Sequence, residues 1–230
     1  SIGNNYYNSS IFLSSRTESS SGPANGIWEY NYRVINNCNI ILSEIGRFTD
    51  QPEVSEVIKG QAHAIRGWAY FNLIRYFQQT YIIAADQPGV PVYTDRASPE
   101  RSQADRSTVT EVYQQIISDL TEALDLLQDW ERPAMEYINT DVVHGFLAQV
   151  YLTMQNWSAA ASHATLARQN YSLMSPEEFT GGFDVANTEW MWGFHQTEND
   201  NIMNQNLFSK WGINGHRPAG AIAIADNTTR

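Results

Sequence analysis

Between positions 109 and 127 the apolar residues Val109, Val112, Tyr113, Ile116, Ile117, Leu120, Ala123, Leu124 and Leu127 keep a nearly unbroken helical spacing. "TVTE" (108–111) opens that run as a capping box, with Thr108 as the cap and Glu111 three residues on. A stripe of this breadth is unstable in water and needs other helices to cover it. The architecture therefore depends on how many such helices the chain holds and how they pair.

The same spacing predicts a helix over 27–45, through Trp28, Ile35, Cys38, Ile41, Leu42 and Ile45, with Gly46 as its C-terminal cap. Residues 1–26, rich in Ser, Asn and Gly, have loop composition. "DQPE" (50–53) predicts the next start, with Asp50 capping, Pro52 in the first turn and Glu53 completing a capping box. That helix carries Val54, Val57, Ile58, Ala62, Ile65, Trp68, Ala69, Leu73 and Tyr76 as its expected buried stripe. Residues 80–107 form a connection of a length usually reserved for functional loops. Asn139 or Thr140 starts a further helix, "QNW" turns the chain, and Trp157 opens a helix with Ala160, Ala161, Ala164 and Ala167 as small contact residues. "SPEEF" (175–179) predicts one short turn capped by Ser175.

An internal repeat organises these helices. Ala148, Tyr151, Trp157, Ala160 and Ala167 sit at tetratricopeptide offsets, a helix pair of about 34 residues. The segments 52–79 and 108–128 read as the same unit with the long connection inserted. The expected fold is mainly α, with tetratricopeptide-like helix pairs (an α/α superhelix), long decorating loops and a few short strands. Two repeats fall short of the usual three, so the pairs are expected to lean on the helix at 27–45 and on a remainder outside this chain.

The formal net charge of −11 would repel nucleic acid and anionic lipid surfaces. The single cysteine, Cys38, rules out an intramolecular disulfide and a cysteine zinc cluster. No run approaches the ~20 apolar residues of a membrane span. His63, His144, His163, His195 and His216 show no metal-ligand spacing, and the three that fall in helices read as structural. No metal and no cofactor are expected. Glycoside hydrolysis needs two facing carboxylates; Glu111, Asp119, Glu122 and Asp125 read instead as solubilising charge on helix faces. Sugar binding asks for aromatic rings and amide or guanidinium partners in loops on a rigid scaffold. The segments 1–26, 79–107 and 196–218 each mix such residues.

Four stretches, in order, carry a resemblance to a known family. "GIWEYNYRVINNCNIILSEI" is similar to the family's first long helix, with Trp28, Tyr32 and an Asn-rich middle. "KGQAHAIRGWAYFNLIRYFQQTYII" matches its second through Arg66, Tyr70, Phe71, Leu73 and Arg75, although Gln78 and Gln79 replace its Gly-Asp. "GVPVYTDRASPERSQADRSTVTEVYQQIISDLTEAL" and "FLAQVYLTMQNWSAAASHATLA" match the next two. The chain thereby resembles the N-terminal region of SusD/RagB-like outer-membrane nutrient-binding lipoproteins.

That resemblance implies non-catalytic capture of glycan at the cell surface and its delivery to a TonB-dependent outer-membrane transporter. It also implies one SusD-like N-terminal region over 1–230, without the lipid-anchor segment and C-terminal half, so that membrane contact would come only through an anchor outside this chain. As the family's sites draw an aromatic arc and an Arg or Asn from loops around the first long helix, the implied ligand residues are Arg16, Asn25, Trp28 and Trp211. Trp28, at a helix start, also reads as a packing residue. Two other classes stay open: a repeat-type module that binds peptide or protein, and a carbohydrate-active enzyme. "EWMWGFH" (189–195) resembles a short extended stretch of the family. Strand alternation would put Trp190, Trp192 and Phe194 together on one face, in the core.

Overall fold

The structure is a computed structural model that describes residues 23–48, 50–98, 104–181 and 186–194. Its helices in chain order are α1 (Pro23–Glu44), α2 (Pro52–Phe77), the short α3 (Tyr81–Ala84), α4 (Val109–Leu127), α5 (Thr140–Thr153), α6 (Trp157–Arg168) and α7 (Pro176–Gly181). The chain divides into two units, Ser1–Trp192 and Gly193–Arg230, and the helices belong to the first. Helix α2 packs against α1 on one side and α4 on the other; α4 leads on to α5, and α5 pairs with α6. This is the paired, stacked α/α arrangement expected from the repeat. The β structure among the described residues is one isolated antiparallel bridge, Pro88 with Thr108.

Local chemistry fixes most helix starts. Thr108 Oγ1 accepts from the Glu111 N–H at 3.2 Å, and the Glu111 carboxylate accepts from the Thr108 N–H at 2.7 Å, so the capping box is complete. Asn139 caps α5 through the Val142 N–H at 3.1 Å, and Asn156 caps α6 through the Ala159 N–H at 3.3 Å. The turn before α6 is made by Gln155 at φ 59°. Ser175 and Glu178 form a second reciprocal box at α7.

Two expected ends differ. Helix α2 begins at Pro52 with Gln51 in the cap position, one residue too late for the Asp50 side chain to cap it. No side chain caps that end; Ser55, inside the first turn, ties it to the preceding chain by donating to the carbonyls of Phe48 (2.9 Å) and Gln51 (3.1 Å). Gly46 does not form a left-handed cap: α1 tightens into a 3-10 turn over Ile45–Arg47, closed by the Phe48 N–H on the Ile45 carbonyl at 3.1 Å. Helix α1 also starts earlier than expected, so Asn25 belongs to its first turn and not to a loop.

The core is a continuous cluster that includes Ile35, Tyr70, Phe71, Leu73, Ile74, Val90, Val112, Ile116, Leu120, Leu127, Val143, Leu147 and Val150. The face α2 buries is only partly the expected one. Ala62, Ala69 and Leu73 are buried as expected, but Val54, Ile58, Ile65 and Tyr76 are exposed, and Gly60, Ala64 and Gly67 are buried in addition. A Cβ on Gly60 would stand 2.7 Å from Leu127 Cγ, and one on Gly67 3.1 Å from Leu120 Cγ. These small residues let α2 and α4 approach closely. On α6 only Ala160 and Ala167 of the expected small residues are buried.

Residues 189–192 are not a strand. The Trp190 N–H closes a turn on the Asn187 carbonyl at 3.2 Å. The sequence neighbours Met191 and Trp192 then both pack on the core, which strand alternation forbids. Trp192 meets Phe146 edge to face (centroids 5.5 Å apart, 79°), and its Nε1 donates to the Glu136 carbonyl at 3.0 Å. Phe194 is 69% exposed, so the three aromatics do not share a buried face.

Candidate functional site

The long connection is held along α1 and α2 by their side chains. The Tyr32 hydroxyl donates to the Pro91 carbonyl at 2.7 Å, and Asn39 Nδ2 donates to the carbonyls of Tyr93 (2.9 Å) and Asp95 (3.0 Å). The Tyr70 hydroxyl donates to the Tyr93 carbonyl at 2.9 Å, and itself accepts from the Tyr93 N–H at 2.7 Å. Asn36 Oδ1 accepts from the Ala97 N–H at 2.7 Å. A segment without a sheet partner thus has its backbone groups satisfied by amides and phenols. Asn36 and Asn39 of α1 serve this purpose, which explains amides on the helix face turned to the segment.

Behind the segment lies a buried polar chain. Arg66 Nη1 donates to Asn39 Oδ1 at 2.8 Å, and that contact fixes which end of the Asn39 amide faces the segment. Arg66 in turn forks onto Asp119, Nε to Oδ2 at 2.9 Å and Nη2 to Oδ1 at 2.5 Å, and His63 Nδ1 meets Oδ1 at 2.9 Å. Asp119, expected on a solvent face, is therefore buried and fully partnered.

Between α1 and the segment opens a cleft of about 470 Å³, within the range of small-ligand pockets. Its walls are Trp28, Tyr32, Asn36 and Asn39 from α1, facing Tyr93 and Asp95. Residues 28, 32, 36 and 39 fall on one helical stripe, two aromatic rings followed by two amides. Trp28 and Tyr32 lie 4.8 Å apart at 51°; Phe77 backs Trp28 edge-on at 4.9 Å, and Tyr93 backs Tyr32 at 5.8 Å. The rings are thus fixed before any ligand arrives. Burial, with smaller contributions from the neighbouring phenols Tyr70 and Tyr93, pushes the Tyr32 hydroxyl well above the usual tyrosine range, so it stays a proton donor. Among the described residues lining the cleft, none is cationic.

Of the four expected ligand residues, Trp28 is in the cleft wall. Asn25 is not among the lining residues; its Nδ2 donates to Glu29 Oε1 at 2.8 Å, one turn along α1. Arg16 and Trp211 lie outside the described residues. Sequence reasoning did not select Tyr32, Asn36, Asn39 or Tyr93 as site residues. The signal that could have found the first three was their register with Trp28.

Comparison with known proteins bears on this geometry. A SusD-like family model, described as "Starch-binding associating with outer membrane", matches residues 2–152, the stretch that contains α1, α2, the pinned segment and α4. The chain belongs to the SusD-like family. It is 28% identical over 173 residues to SusD-like protein P2 of Formosa agariphila, covering 73% of this chain and 32% of that one. It also resembles the crystal structure of a SusD-like carbohydrate binding protein from Bacteroides vulgatus (33% identity, TM-score 0.69, covering 76% of this chain and 37% of that one). A SusD superfamily protein from Bacteroides thetaiotaomicron is similar at 31% identity and TM-score 0.61, with 66% and 34% covered. The SusD-like chain thus spans about a third of the length of these relatives. No helix among its described residues is long and apolar enough to cross a membrane.

Proposed function

We propose that this SusD-like chain captures neutral oligosaccharide or polysaccharide without chemical turnover and passes it to a TonB-dependent transporter in the outer membrane. The full protein would sit at the cell surface, held by a lipid anchor, and the helix pairs would dock the transporter. The observation that carries the reading is the cleft itself. Trp28 and Tyr32 offer ring faces for the C–H face of a pyranose, and Asn36 stands beside them to bond hydroxyls. The aromatic and amide groups among its described lining residues suit the hydroxyls and C–H faces of a neutral sugar. The similar Bacteroides vulgatus protein is a SusD-like carbohydrate binding protein, which agrees with this chemistry.

The test is a panel of neutral and anionic glycans in affinity electrophoresis, paired with a reducing-sugar assay. Retardation by at least one neutral glycan, with no reducing ends released, is the expected result. Release of sugar from a bound glycan would make the protein an enzyme. Binding of peptides with no glycan retained would make it a repeat-type interaction module.

A further inference from the structure

The α5–α6 interface holds a pair of side chains that the cleft does not use. His144, on the second turn of α5, and His163, midway along α6, face each other with their Nδ1 atoms 2.9 Å apart. The rings are tilted by 40° with centroids 5.1 Å apart, and both are half-buried, so solvent reaches them. Tyr151 lies nearly parallel to His163 (5.4 Å, 14°) and fixes the plane of that ring. In this contact one imidazole donates its Nδ1–H and the other accepts through a lone pair. Two nitrogens 2.9 Å apart also match one edge of a metal coordination shell. With metal–nitrogen bonds of about 2.0–2.1 Å they subtend about 90° at the ion, the angle between neighbouring positions of a square-planar or octahedral site.

We propose that His144 and His163 form a two-imidazole site for a divalent late first-row transition-metal ion, which clips α5 to α6. On binding, the donating ring moves its proton from Nδ1 to Nε2, so both Nδ1 lone pairs turn to the ion and no proton is lost at neutral pH. Water fills the remaining positions, since no group of three or more His, Cys, Asp or Glu side chains placed to hold a metal occurs among the described residues. Imidazole donors select late transition ions over Mg²⁺ and Ca²⁺, and the 90° angle suits Ni²⁺ or Cu²⁺. The nearby carboxylate is Asp141, one turn earlier on α5, where Asn170 and Asn139 bond it. Its charge favours a cation at the pair.

The experiment is thermal unfolding of the untagged chain with Ni²⁺, with Mg²⁺ as the hard-ion control, on the wild type and on His144→Gln and His163→Gln. An ion present at ten times its dissociation constant should raise the wild-type Tm by about 3–6 °C. The rise is expected at one ion per chain by titration calorimetry, lost in each variant, and absent with Mg²⁺. A rise that persists in both variants puts the ion on other histidines and overturns the proposal, as does a wild-type Tm unmoved by millimolar Ni²⁺. Each variant is compared with and without metal, so a less stable variant still reports.

Discussion

Asp119 is 1% exposed, yet its carboxyl lies below the ordinary aspartate range. Burial alone would push it up; the hydrogen bonds from His63 and Arg66, with the guanidinium charge, outweigh that. Because the folded value is depressed, the pair's stabilisation is complete above the unfolded aspartate range and drains away as pH falls through the folded value. Asp119→Asn should therefore cost about 3–5 kcal/mol at pH 7, since it strands Arg66, and the variant's deficit should shrink toward pH 3. Urea unfolding at both pH values checks this, and a variant as stable as the wild type at pH 7 would mean the pair is not what holds Arg66. None of this was legible locally. Asp119 sits among Glu111, Glu122 and Asp125 on a helix, and its partner is 53 residues away in sequence. Only a folded chain brings the two together, so a carboxylate in a helix read as surface charge.

At the scale of elements, the starts of α4, α5, α6 and α7 were readable because a cap is a contact between residues three apart. The buried face of α2 was readable only in part: Ala62, Ala69 and Leu73 were expected in the core, Gly60, Ala64 and Gly67 were not. Hydrophobic spacing weights large side chains, but α2 lies between α1 and α4, and its contact with α4 is set by residues that lack side chains. Gly60 and Gly67 are one such pair, which no apolar pattern marks. Gly60→Val should accordingly destabilise the chain by about 1–3 kcal/mol, because fully buried Leu127 has no room to give. Chemical denaturation measures the loss; a Gly60→Val variant of unchanged midpoint would contradict the close α2–α4 contact. The same lesson covers residues 189–192, where a turn at Asn187–Trp190 replaced the expected alternation and sent adjacent side chains into one core.

For the whole molecule, the helix pairs, their order and the inserted connection could be read from the sequence, and so could the resemblance that placed the chain in its family. The path of the connection could not. Residues 88–98 have no periodicity of their own; Tyr32, Asn36, Asn39, Arg66 and Tyr70 hold them from two other helices. The cleft exists only once that segment is in place, which is why Trp28 could be picked out and its facing partner Tyr93 could not. The central claim is that this cleft takes the sugar, and the direct measurement is titration calorimetry of Trp28→Ala against the best glycan of the panel, with circular dichroism to show the helices intact. Losing one ring face worth about 1.5–3 kcal/mol should weaken binding by at least about tenfold. A folded Trp28→Ala chain that binds the glycan as tightly as the wild type would contradict the account.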